Sequence, residues 1–260
     1  MSKTQPLPAE TGMTLMEHLA ELRTRLIICV AAVAVGMLLG FLLYPWVFDF
    51  LIHPYKEVVR QDPASSATAG RLLQIDPLEG FGVRMKTSGY TGIAFAMPVI
   101  LWQVWRFVTP GLYPHERRYA VPFVLSALVL FLLGAGLAYY TLPRALEFLV
   151  DIGGDELVTA FAPGKYFQLI TYMMLAFGVG FEFPIVLIFL QMAGIVDSAT
   201  LRKGRRFAIV GICILVAVIT PSGDPISMLM LSVPMVVFYE LSIVIGSIIT
   251  KRQARARAAE

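Results

Sequence analysis

Four carboxylates stand where they could do chemistry. Glu182 interrupts a run of 31 residues, Tyr166 to Val196, that carries no other charge. A charged side chain at the middle of a membrane helix costs about 2.5–3.5 kcal/mol on insertion scales. A carboxyl at that place is therefore neutral or faces a wet cavity. Gly178, Gly180 and Pro184 flank it. The glycines let another helix approach closely, and the proline frees a carbonyl and bends the helix. This points to a contact or transport role, and the plainer alternative is a polar group that only satisfies the kinked backbone. Glu240 interrupts a second apolar run, Pro225 to Thr250. It lies two or three turns from the run's end, within reach of water or Lys251, which suggests a structural role.

Glu21 and Glu116 sit outside the apolar runs. Around Glu21, apolar residues at 15, 19, 22 and 26 form a helical stripe. Glu21 and Arg25 have the spacing of a helix ion pair. Glu116 lies in Tyr113-Pro114-His115-Glu116-Arg117-Arg118, just after Thr109-Pro110-Gly111. On composition alone this is a basic anchor at a membrane surface with an incidental acid. Other chemistry is thinly represented. Cys29 and Cys213 both lie in apolar runs, and the histidines are His18, His53 and His115. No spacing suggests a metal site, a disulfide framework, a phosphate-binding loop or a nucleophilic triad, and no cofactor is expected.

The elements that must position these acids are membrane helices. Hydrophobic residues make up 57% of the chain and charged residues 15%, against roughly 25% charged in soluble domains. A bilayer core needs roughly 20 apolar residues in a helix. Six runs qualify, at about 26–48, 87–108, 119–143, 166–193, 206–220 and 226–248. The expected fold is thus all-α, one integral membrane domain over 1–260 with a polar N-terminal tail (1–13) and a basic C-terminal tail (251–260). The N-terminus does not read as a cleavable signal, because its first apolar run is too long. The connection between spans one and two should form short surface helices, with Pro54 opening a helical turn. Pro221-Ser222-Gly223-Asp224-Pro225 forces a tight turn between the last two spans, making a hairpin of two short helices. Such a hairpin either thins the bilayer or stops short of the far face. The alternate segments beginning with the N-tail hold 14 Lys and Arg, and the intervening segments hold seven. That excess puts both termini in the cytoplasm.

Four stretches, in order, carry a family resemblance. They are His18-Leu-x-Glu21-Leu-Arg23-x-Arg25-Leu26; Pro98-Val-Ile-Leu-x-Gln103-Val-Trp105-x-Phe107, leading to Leu112-Tyr-x-His115-Glu116-Arg117-Arg118; Phe177-Gly-Val-x-Phe181-Glu182-x-Pro184; and Leu201-Arg-Lys203 followed by Thr220-Pro221. Together they resemble the TatC family, the multi-span core of the twin-arginine protein translocase. The resemblance spans about residues 14 to 248. It implies a receptor in the cytoplasmic (inner) membrane, without enzymatic activity. Such a receptor binds the twin-arginine signal peptides of folded proteins and assembles with single-span TatA/TatB-type subunits for transport driven by the protonmotive force. It also implies contact with lipid, a homo-oligomer within a larger complex and no nucleic acid.

Carried over by position, Glu21, Glu116, Arg23, His115, Arg117 and Phe107 would receive the signal peptide, and Glu182 and Gln103 would contact a partner. Pro54, Asp224 and Glu240 fall on further family positions. The guanidinium of arginine presents a planar fork that matches a carboxylate with two parallel hydrogen bonds, whereas lysine does not. An exposed ion pair contributes only about 0.2–1 kcal/mol, while micromolar affinity needs about 8 kcal/mol. The peptide's apolar segment must therefore also bind, with a groove near Phe107 and the apolar faces of spans two and four as the candidate. A small proton- or ion-coupled transporter using Glu182 is the runner-up, although no paired broken helices support it. An intramembrane hydrolase ranks behind both.

Overall fold

The structure is a computed structural model, and it describes residues 15–61, 72–74, 76–108, 120–152, 161–192 and 194–257. Its elements are helices: α1 (Leu15–Leu42), α2 (Tyr44–Gln61), α3 (Glu79–Val108), α4 (Ala120–Asp151), α5 (Pro163–Gly180), α6 (Phe183–Met192), α7 (Ser198–Lys203), α8 (Arg205–Ile219) and α9 (Pro225–Arg257). Among the described residues, four stretches are long and apolar enough to cross a membrane: Met16–Leu42, Val121–Asp151, Pro163–Met192 and Pro225–Ile249. The chain is an all-α, multi-pass membrane protein. Two expected spans fall outside that set for visible reasons. Helix α8 has only 15 residues, and α3 carries the run Thr87-Ser88-Gly89-Tyr90-Thr91-Gly92, which lowers its hydropathy.

Helix α1 packs mainly on α3 and otherwise exposes its large side chains, among them Leu26, Val30, Leu38 and Leu42. The α1–α3 contact is backbone against backbone. A Cβ on Gly36 would lie 2.5 Å from the carbonyl oxygen of Gly92, and one on Gly92 would lie 2.5 Å from the amide nitrogen of Met37. Small residues allow such proximity, which is how helices associate where lipid offers no hydrophobic drive. Helices α4 and α5 meet in the same way, with Gly134 against the Phe177 carbonyl and Gly178 against the Phe131 ring. The buried core gathers around Phe177, Tyr166, Phe167, Leu142 and Met235.

Two prolines explain where the sequence-based boundaries miss. The first span was expected to run to about residue 48, but α1 ends at Leu42 and α2 begins at Tyr44. Pro45 has no N–H to give the carbonyl four residues back. That carbonyl, Phe41 O, instead accepts a hydrogen bond from Arg84 Nη2 on α3 at 3.2 Å. The apolar run continues across this break, so hydropathy alone hides it. Pro54 was expected to open a helical turn, yet it lies well inside α2. It leaves the carbonyl of Phe50 free, which accepts from the Tyr139 hydroxyl of α4 at 2.9 Å. Together with the Tyr166 hydroxyl on Leu51 O at 2.6 Å, this ties α2 across the ends of α4 and α5.

The other expected bounds also move. Helix α3 starts at Glu79, and α4 continues through Pro143 to Asp151. The fourth run divides at Phe181 and Glu182 into α5 and α6, with Pro184 in the first turn of α6, where a missing N–H costs nothing. The hairpin was expected to join two short helices. Helix α8 is short, but α9 has 33 residues and continues through the basic segment to Arg257. What is short is the hairpin's reach. Its turn meets α5 at Met173, where Ser227 Oγ lies 4.0 Å from the sulfur. Ten residues into α5 is about 15 Å beyond that helix's first residue.

The α1–α3 contact generates a direct expectation. Gly36→Val should lower thermal stability by about 1–3 kcal/mol, whereas Gly136→Ala, with nothing within 4 Å, should leave it unchanged. Thermal melts of the two variants in one detergent check this.

Candidate functional site

The site forms where α1 begins and α3 ends. His18 of α1 stacks on Phe107 of α3, with ring centroids 4.4 Å apart and planes at 23°. One turn further along α1, Glu21 pairs with Arg25. Both Arg25 contacts fall on the same carboxylate oxygen. Nε donates to Glu21 Oε1 at 3.1 Å, and Nη2 donates to that oxygen as well. The third guanidinium nitrogen, Nη1, donates to Gln103 Oε1 of α3 at 3.3 Å. Glu21 and Arg25 expose only 19% and 14% of their side chains. The second carboxylate oxygen of Glu21, Oε2, is buried and accepts no hydrogen bond among the described residues. A buried acceptor left unmade costs about 1–3 kcal/mol, more for a charged group. This oxygen is a place for an incoming donor.

The sequence grouped Glu21 with Phe107 as peptide-binding residues and set Gln103 apart with Glu182, and the structure brings Gln103 to the same end through Arg25. Gln103 was expected at a partner contact, but it is buried with Arg25 of the same chain. Arg23 points away from the cluster and is exposed. His115, Glu116 and Arg117 lie in 109–119, outside the described residues. That segment joins the end of α3 to the start of α4. Nearby, Trp105 of α3 packs on Phe123 of α4 with centroids 4.5 Å apart.

Glu182 occupies the break between α5 and α6. The break is one tight turn, because Glu182 N–H donates to Val179 O while Glu182 O accepts from Ile185 and Val186. One oxygen of the carboxyl, Oε1, is buried without a hydrogen-bond partner among the described residues. Further family positions have internal explanations. Asp224 is buried and caps α9, with Oδ1 accepting from Ser227 N–H at 2.7 Å and Oδ2 accepting from the Ser222 hydroxyl. Glu240 pairs with Arg205 of α8 at 2.6 Å, and the expected partner Lys251 lies outside the described side chains.

One polar cluster escaped sequence reasoning. Gln191 of α6 donates to Ser242 O of α9 at 2.9 Å and accepts from the Ser198 hydroxyl of α7 at 2.7 Å. It lies so close to Gly246 that a Cβ there would sit 2.3 Å from Gln191 Oε1. A glutamine inside an apolar run was the available signal, overlooked because it carries no charge. The expected groove near Phe107 also differs. An apolar cavity of about 420 Å³ is lined by Trp46 and Phe50 of α2, Tyr90 and Phe95 of α3, Phe131 of α4 and Met174 of α5, and Phe107 is not among its walls.

With this geometry in hand, the chain was compared with known proteins. The family model described as Sec-independent protein translocase protein (TatC) matches residues 17–234. The chain belongs to the TatC family. A TatC protein from Frankia casuarinae is 39% identical, over 95% of this chain and 69% of its own length. A TatC from Magnetococcus marinus is 36% identical, over 98% and 91%. Among solved structures, a crystal structure of the twin-arginine translocase receptor TatC superposes with a TM-score of 0.74 at 35% identity, covering 90% of this chain and all of that one (100%). TatC membership makes the chain a component of the Sec-independent protein translocase, a subunit in protein transport and not an enzyme. The ion-coupled transporter and hydrolase alternatives give way to it.

Proposed function

We propose that this TatC protein is the receptor for twin-arginine signal peptides, with six spans and both termini in the cytoplasm. Glu21 and Glu116 receive the two guanidiniums at the cytoplasmic face. The observation that carries this reading is the buried Oε2 of Glu21, unpartnered among the described residues, with Arg25 linking Glu21 to Gln103 and His18 stacked on Phe107. One guanidinium there gains charge-assisted hydrogen bonds of the stronger class. Family position supports Glu116 as the second acid, with His115 and Arg117 beside it, and the segment that carries them leaves from the same end of α3. The basic residues bordering this end of the helices support its cytoplasmic orientation.

Two ion pairs fall short of micromolar binding, so the apolar segment of the peptide binds too. We assign it to the apolar cavity walled by Phe95 and Phe131. Phe95 is twelve residues from Phe107, about 18 Å along the helix. A signal peptide's apolar region of about 7–15 residues bridges that distance as a helix. Glu182, with its unpartnered oxygen inside the apolar body, is the contact for a single-span TatA/TatB-type helix. Use of the protonmotive force and a homo-oligomeric complex rest on the family resemblance.

Binding of a labelled twin-arginine peptide to purified protein in nanodiscs tests the receptor site. Glu21→Gln and Glu116→Gln should each weaken binding by about tenfold or more, with membrane insertion intact. Unchanged affinity in both variants would overturn the site. For Glu182, export should survive the Gln substitution, which keeps a hydrogen-bonding neutral group, and fail with Ala. Equal loss in both would show that charge or titration, not hydrogen bonding, is what that position supplies.

A further inference from the structure

We propose that Arg25 is a built-in stand-in for the peptide's arginine, occupying Glu21 when the site is empty and shifting fully onto Gln103 when a guanidinium arrives. This rests on the assignment of Glu21 as a receptor acid. Three observations carry it. First, the internal pair is half made. A guanidinium and a carboxylate in full register form two parallel bonds to two oxygens, but Arg25 spends both its Nε and its Nη2 on Oε1. Second, Oε2 is buried and open to a donor among the described residues. Third, Arg25 already has a second seat, since Nη1 lies 3.3 Å from Gln103 Oε1. Gln103 is buried and uncharged, so it holds Arg25 without drawing it off Glu21 on its own.

The arrangement acts as a threshold. An incoming ligand completes a fork on Glu21 only by displacing Arg25 from Oε1. An arginine gains two parallel hydrogen bonds in that exchange. A lysine, a point charge without the planar fork, exchanges one cation for another and gains little. Arg25 thus raises the threshold for every incoming cation alike, and the fork of an arginine is what lets it clear that threshold better than a lysine. The i,i+4 position on α1 explains why it is weak enough to be displaced, since such pairs contribute only about 0.5 kcal/mol on exposed helices. Partial burial strengthens both the internal pair and its competitor, so the contrast between forks is what remains.

The test measures affinities of one signal peptide in arginine-arginine and lysine-lysine forms for the full chain in nanodiscs. Arg25→Gln should raise the affinities of both forms by a similar factor, about two- to fivefold. Unchanged or weaker binding of both forms overturns the proposal. So does complete loss of binding, because removing a competitor cannot abolish the site. A second variant gives an independent check. Gln103→Leu removes the alternative seat, so it should weaken arginine-peptide binding by about fivefold when Arg25 is present and have no effect in the Arg25→Gln background. Equal effects in both backgrounds overturn the exchange. Glu21→Gln separates the two ideas. If it leaves binding intact, the receptor assignment itself is wrong. If it abolishes binding while Arg25→Gln leaves both affinities unchanged, only the stand-in role fails.

Discussion

Helix α1 reaches the rest of the protein chiefly through its contact with α3, and at Gly36 and Gly92 that contact is made by backbone atoms. Glu21 lies fifteen residues before Gly36, about 22 Å along the axis. At that lever length a small change of crossing angle would carry Glu21 away from Gln103. The pair of glycines therefore sets the spacing of the whole receptor end. Arg84 holds the opposite end of the same interface, donating to Phe41 O and stacking over the Phe41 ring at 4.0 Å. With both ends fixed, His18 meets Phe107 and Arg25 spans the two helices.

The remaining buried polar groups divide into those satisfied within the chain and those left open. Asp224, Gln191 and the carbonyls freed by Pro45 and Pro54 each find a partner on another element or on the next turn. These bonds fix how α2, α6, α7 and α9 sit. Glu21 Oε2 and Glu182 Oε1 are buried carboxylate oxygens without one among the described residues, as are Arg84 Nε and the Thr87 and Ser88 hydroxyls. In an apolar body every unmade bond is costly, and under the proposed function the two carboxylates are where a peptide and a partner helix would supply it. One sits at the end of the bundle and the other inside it, which matches a protein that reads a peptide at its face and receives a helix at its flank.

Much of this was legible in the sequence because lipid makes charge conspicuous. Glu182 and Glu240 stand out from apolar runs, and the loop charges alternate clearly. What stayed hidden depends on pairing between helices. Nothing in one sequence says that α1 lies on α3, so Gln103 and Arg25 could not be joined, and Arg25 passed for half of an ordinary helix pair. Helix ends were also obscured. Hydropathy runs straight through Leu43 and Pro45, and it stops at residue 250 although α9 continues to Arg257. The recessed hairpin was anticipated as a shortage of residues. In the structure it is a matter of register, since Ser227 meets α5 at Met173 and not at its start.

The central claim is that a guanidinium docks where α1 begins and α3 ends. Site-specific photocrosslinking tests it most directly, with the photoreactive group placed beside the arginine pair of a signal peptide bound to the intact protein in membranes. The account predicts adducts within residues 15–26 and 98–118, lost when unlabelled arginine-arginine peptide is in excess. Adducts confined to α2 or to the α8–α9 hairpin, with none in those two segments, would contradict it.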